Sequence, residues 1–112
     1  MAAISVEFCP YFQDAVELIG RRWCGAITRT LLGGPLRFSE LERALPGISA
    51  RALTQRLREL EEQATVARIV EPASPVRVSY ELTAKGRALD EAVQAIEGWA
   101  HDWLAPAAHA HA

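Results

Sequence analysis

The stretch that most constrains this chain is residues 38–60, FSELERALPGISARALTQRLREL. It divides into two short amphipathic segments at Pro46 and Gly47. In the first, Phe38, Leu41 and Leu45 fall three and four apart, so their side chains share one helical face, and Ser39 is placed near its start as a cap. Proline stops that helix, glycine lets the backbone reverse, and Ser49 stands where its hydroxyl can accept from the free amides of a second helix. On the second helix Leu53, Leu57 and Leu60 lie within about 60° of one another at ~3.6 residues per turn. Arg51, Gln55, Arg58 and Glu62 fall on the opposite side, with Thr54 on the flank. Two helices joined this way, the second carrying arginines opposite a leucine seam, form a helix-turn-helix pattern, although many helical hairpins carry arginines only as a solvated face.

Charge distribution bears on that choice. The chain of 112 residues has a net charge of −2, which by itself argues against a polyanion partner. The charges are segregated, however. Residues 21–58 hold eight arginines against Glu40 and Glu42, a local balance of +6, and the remainder stands at −8. A basic segment coinciding with the hairpin is the electrostatic footprint of a nucleic-acid face. A protein-interaction module built on the same hairpin would not need it.

The flanking segments complete an architecture. Residues 9–19 read as a helix started by Cys9-Pro10 and stopped by Gly20, and residues 21–32 as a second helix with Trp23, Ile27, Leu31 and Leu32 as its core stripe. Residues 66–71 and 76–83 read as strands joined by PASP, the latter alternating Val76, Val78, Tyr80 and Leu82 with Arg77, Ser79 and Glu81. A hairpin directly after a helix pair is a wing, with Arg77 as its cation beside the tip. A long final helix, with Thr83 as its cap, spaces Leu89, Val93, Ile96, Ala100 and Trp103 by four, three, four and three, with Trp99 alongside. So small a domain has little left to cover this seam, so Leu89, Val93, Ile96, Trp99 and Trp103 are expected at a subunit interface. The alternative is that the helix folds back on its own domain. The expected fold is therefore α+β and mostly helical: one winged helix-turn-helix domain over residues 1–112, with a core of about 9–104, a disordered-looking start at 1–7 and a loose tail at 105–112.

Several function classes recede. No apolar run approaches the ~20 residues that span a bilayer and no secretory signal opens the chain, so the expected location is the cytoplasm, with no membrane partner. His101, His109 and His111 lie near or in the tail and make no metal site, no glycine-rich phosphate loop follows a strand, and no nucleophile sits in a catalytic context. The chain is expected to be no enzyme and to need no cofactor.

Three segments in register, CPYFQDAVELIGRRW, GGPLRFSELERALPGISARALTQRLRELE and SPVRVSYELTAKGRAL, resemble the HxlR-type (DUF24) winged-helix regulators of bacteria over residues 9–103. The chain departs in having Arg22 where that family usually has lysine, and Ala64-Thr65 where it usually has Gly-Leu. The resemblance implies a homodimeric, sequence-specific DNA-binding transcriptional regulator whose first and last helices make the dimer contact. Its DNA partner is then an inverted-repeat operator, met by Arg37, Ser49, Arg51, Thr54, Gln55, Arg58 and Arg77. In some relatives the cysteine of the N-terminal Cys-Pro motif senses quinones, aldehydes or oxidants, and Cys9 occupies that position. A thiol at a helix N-terminus, with arginines nearby, is expected to ionise more readily than a free one. The other reading of Cys9 is a buried cap residue in the dimer contact. Cys24, beside Trp23, reads as a small buried apolar side chain. A further alternative replaces thiol chemistry with a small aromatic effector bound near Trp23, Trp99 or Trp103.

Overall fold

The computed structural model describes residues 6–106; residues 1–5 and the tail residues 107–112, with His109 and His111, lie outside the described residues. In chain order the elements are helices α1 (Pro10–Gly20) and α2 (Cys24–Leu31), strand β1 (Leu36–Arg37), helices α3 (Phe38–Ala44) and α4 (Ala50–Glu62), strands β2 (Val66–Glu71) and β3 (Arg77–Leu82), and helices α5 (Ala84–Arg87) and α6 (Asp90–Trp103).

The α3–turn–α4 unit forms for local reasons. Glu40 accepts the Arg37 backbone N–H at 2.8 Å, holding the first turn of α3. Gly47 adopts φ +87°, which a side chain would oppose, and the Ser49 hydroxyl caps α4 by accepting from the Ala52 N–H at 3.0 Å. Both helices then turn their leucines inward. Leu41, Leu45, Leu53, Leu57 and Leu60 join Cys24, Ile27 and Leu31 of α2, Val66 of β2 and Leu82 of β3 in one core.

The sheet has the order β1–β3–β2, all antiparallel, with Val66 opposite Leu82, Glu71 opposite Arg77 and Leu36 opposite Tyr80. Two strands match the expected hairpin closely. The third, β1, was not anticipated, because two residues carry no periodicity; it exists through its register with Ser79 and Tyr80. This is a winged helix-turn-helix, flanked by α1 before it and α6 after it.

Ser39, expected as a cap, lies inside α3, whose N-cap is Arg37, because the strand register of β1 runs straight into the helix. Three further expectations require correction. The second helix begins at Cys24 rather than Arg21, because Trp23 takes a left-handed φ of +74° and Arg21 is extended, so the chain turns sharply between α1 and α2. The final helix is broken: Thr83 does cap it, accepting from the Gly86 N–H at 3.1 Å, but that helix is the single turn α5, and α6 starts afresh after Leu89. The start of α5 sits in a tight junction. The Thr83 hydroxyl donates to the Ala64 carbonyl at 2.6 Å, Lys85 Nζ to the Gln63 carbonyl at 2.6 Å, and the Thr83 N–H to the Thr65 carbonyl at 3.0 Å. These bonds tie α5 to the turn that follows α4. Third, Val93 is buried against its own chain, lining a small apolar cleft with Ile19 and Gly25, and so is withdrawn from the open α6 stripe.

At the same junction Ala64 holds φ +60°, the left-handed conformation for which glycine is the ordinary choice. The departure at Ala64 thus leaves the turn intact and costs some backbone strain.

Candidate nucleic-acid interface and thiol

Leucines fix the roll of α4. With Leu53, Leu57 and Leu60 fully inward, Arg51, Gln55 and Arg58 are exposed on the far side, Thr54 is half-buried on the flank, and Ser49 is exposed at the helix start. The Ser49 oxygen is engaged as the cap and retains its O–H and one lone pair for any outside partner. Gln55 also borders a cleft shared with Tyr11, Asp14 and Leu18 of α1, so it stands at the edge of the α4 face. Arg37 is exposed where β1 meets α3, and Arg77 is exposed at the start of β3, opposite Glu71.

The arginines divide into two sets by what they touch. Arg21 pairs with Glu59 at 3.0 Å, Arg29 with Glu97 at 2.6 Å, and Arg56 with Glu59 through Nη1 at 2.7 Å. Arg56 Nε also donates to the Arg22 carbonyl at 3.0 Å, and the Arg22 guanidinium lies 6.0 Å from the Trp23 ring centre. These cations hold elements together. Arg43, Arg51, Arg58, Arg68 and Arg77 are exposed and make no ion pair among the described residues. The basic segment is therefore less uniformly available than its linear count suggests: within it Arg43, Arg51 and Arg58 lie free of ion pairs on α3 and α4, and Arg68 and Arg77 add to them from the wing.

Cys9 is exposed and is the N-cap of α1: its Sγ accepts from the Phe12 N–H at 3.4 Å. The arginines nearest it in sequence, Arg21 and Arg22, sit beyond the other end of α1, ~16 Å away along an 11-residue helix, so the expected guanidinium neighbours are not those two. Cys24 is fully buried at the start of α2. Burial pushes its thiol upward from the ordinary cysteine range and the Glu59 carboxylate adds to this, against Arg56 and Arg21. A thiol so placed is chemically quiet.

α1 and α6 carry exposed apolar side chains: Phe12 and Val16 along α1, with Phe8 just before it, and Ile96, Trp99 and Trp103 along α6. Phe12 and Val16 were missed in the sequence, although their spacing of four was readable. A small cleft lined by Ile19, Val93 and Ile96, about 270 Å³, has the Arg29–Glu97 pair at its rim. The hydrogen bond from Arg29 holds the Glu97 carboxyl below its usual range, so this tie between α2 and α6 is intact above the ordinary carboxylate range and is lost as pH falls through the lowered value. The larger cleft, about 840 Å³, lies between α1 and α4. Neither is lined by Trp23, Trp99 or Trp103, where an aromatic effector was expected.

Residues 18–108 match the family described as HxlR-like helix-turn-helix. The chain belongs to this family. The HTH-type transcriptional regulator YvaP of Bacillus subtilis is 47% identical over 100 residues, covering 89% of this chain and 93% of the relative. YodB, another HTH-type transcriptional regulator of Bacillus subtilis, is 43% identical over 98 residues, 88% of each chain. Its reduced form superimposes with a TM-score of 0.80 at 42% identity, over 89% of this chain and 98% of that one; YodB has also been solved diamide-treated and quinone-bound. The redox regulator HypR in its oxidised form superimposes with a TM-score of 0.77 at 37% identity, over 82% and 94% of the two chains. Membership of the HxlR-like family makes this chain a DNA-binding helix-turn-helix transcriptional regulator and not an enzyme, which sets aside the protein-interaction reading of the hairpin. Among the described residues, no helix is long and apolar enough to cross a membrane.

Proposed function

We propose that this regulator is a homodimer that reads an inverted repeat with its two α4 helices and changes its grip on that operator when Cys9 is modified. The observation that carries this reading is the pairing of an exposed thiol at the head of α1 with the exposed Phe12 and Val16 on the same helix. A thiol that solvent can reach, on a helix with an unfilled side, sits where a covalent change alters how two subunits meet. Relatives solved reduced, diamide-treated and quinone-bound lend support, since both reagents react with thiols.

In this reading the dimer contact is built from Phe8, Phe12 and Val16 with Ile96, Trp99 and Trp103, and the half-buried Leu89 lies at its margin. The recognition helices enter successive major grooves ~34 Å apart. Arg51 and Gln55 are assigned to base edges, because a guanidinium matches guanine and a carboxamide matches adenine. Arg58, Thr54 and Ser49 border them, and Arg37 and Arg77 serve phosphate or the minor groove. At Cys9, the thiolate sulfur adds to a ring carbon of a quinone: the S–C bond forms as the C=C π bond breaks, the electron pair moves to the carbonyl oxygen, and the proton given up by the thiol ends on the adduct. An adduct shifts the protein only by its differential fit to two dimer arrangements, and a tenfold change in operator affinity needs ~1.4 kcal/mol of that difference.

Footprinting on the DNA flanking the protein's own gene is expected to reveal a protected inverted repeat. On that operator, Arg51→Ala is expected to lose about 1–3 kcal/mol and to relax discrimination at one position, measured by fluorescence anisotropy on single-base variants. Arg77→Ala is expected to weaken all sequences alike and to lower the log-log salt slope by ~0.9 for the lost phosphate contact. Equal loss by Arg51→Ala on every sequence would make it a backbone contact instead.

A further inference from the structure

α1 poses a mechanical question. It buries no residue of its own, and only Leu18 and Ile19, near its C-terminal end, are even half-buried. Its direction is therefore fixed where it ends, at the turn through Arg21, Arg22 and the left-handed Trp23. That turn is tied to the recognition helix at one acid. Glu59 of α4 receives Arg21 Nε on Oε1 at 3.0 Å and Arg56 Nη1 on Oε2 at 2.7 Å, while Arg56 Nε holds the Arg22 carbonyl at 3.0 Å. Both residues between the helix end and Trp23 are thus bound to α4, one by its side chain and one by its backbone. Glu59 is itself mostly covered, whereas Arg21 is exposed. A charged acceptor held by two guanidiniums in partial burial is a stiffer joint than an exposed pair.

We propose that Glu59 is a positioning residue for DNA reading: with Arg21 and Arg56 it locks the end of α1 to α4, so that the placement of α1 in the dimer sets the placement of the reading helix. This rests on the two-headed homodimer proposed above. Leucines 53, 57 and 60 fix the roll of α4 within its own domain, and the Glu59 joint fixes that domain against the helix through which the subunits meet. Two heads held by stiff joints tolerate only one separation of half-sites. Inserting one base pair rotates one half-site by ~34° and moves it ~3.4 Å, which stiff heads cannot follow.

The test uses the full-length protein and an inverted repeat selected by the wild type from random duplex DNA, prepared with native spacing and with one or two inserted base pairs. For the wild type, one inserted pair is expected to weaken binding at least tenfold. For Arg21→Ala, which cuts the joint at its exposed side, the penalty is expected to fall to threefold or less, with affinity for the native spacing kept within about fivefold. Glu59→Gln is expected to lose spacing discrimination in the same way, and Arg21→Lys to restore most of it. If Arg21→Ala and Glu59→Gln keep the wild-type penalty, or weaken every spacing equally, Glu59 serves only stability and the proposal is overturned. A wild type indifferent to spacing would also overturn the proposal, whereas a wild type that sediments as a monomer would overturn the two-headed dimer on which it rests.

Discussion

Gly86→Ala is expected to destabilise the protein by about 3–5 kcal/mol, a large part of the ~5–15 kcal/mol that holds a domain of this size together. A Cβ on Gly86 would stand 2.2 Å from the Thr65 carbonyl oxygen and 3.1 Å from Leu82 Cδ2. The oxygen belongs to backbone and is already bound to the Thr83 N–H, so relief requires moving α5 away from the α4–β2 turn and breaking the bonds from Thr83 and Lys85 that pin it there. One residue before Thr65 the opposite substitution is expected to help. Ala64→Gly relieves a left-handed backbone that costs an alanine ~1–2 kcal/mol, less what glycine loses in chain entropy, for a net gain of about 1 kcal/mol. Urea unfolding of both variants measures the two effects. A Gly86→Ala variant within 1 kcal/mol of the wild type would show that the junction is looser than its geometry.

Ile96→Glu is expected to convert the proposed dimer to folded monomers. Ile96, Trp99 and Trp103 are 59%, 56% and 68% exposed in the isolated chain, so a carboxylate at position 96 costs the monomer little. At a subunit contact the same carboxylate would be desolvated without a partner, and a penalty of ~3 kcal/mol raises the dimer dissociation constant more than 100-fold. Operator affinity falls with it, because each half-site is then bound separately. Sedimentation reports the mass and circular dichroism the retained fold. A wild type that is itself monomeric at micromolar concentration would remove the role assigned to the α6 row.

How much of this was legible in the sequence depends on how local each cause is. The α3–α4 unit was readable because Pro46, Gly47, Ser49 and the leucine spacing act within a few residues of where their effects appear. The wing was readable from alternation, and the observed Val66–Glu71 strand has the bounds its pattern implied. Strand β1 was not, since Leu36 and Arg37 are a strand only because β3 runs beside them. The separate turn α5 was hidden because what holds it is three hydrogen bonds to residues 63–65, some twenty residues earlier in the chain. The free arginines could not be told from the engaged ones for the same reason: Arg56 and Arg58 are two residues apart, yet one is spent on Glu59 and Arg22 while the other faces outward. For Arg56 a local hint existed in Glu59 three residues on, a spacing that pairs side chains on a helix.

The thiol reading stands on the contrast between two cysteines, one exposed at the head of α1 and one sealed at the head of α2. Cys24 has no route to a reagent or to a second subunit's thiol without unfolding of the core. The direct measurement is operator affinity before and after treatment with a quinone, made on the wild type, Cys9→Ser and Cys24→Ser. The expected result is a shift of about tenfold in the wild type and in Cys24→Ser, equivalent to ~1.4 kcal/mol, and none in Cys9→Ser. A Cys9→Ser protein that responds as the wild type does would make Cys9 a helix cap alone and contradict the proposed switch.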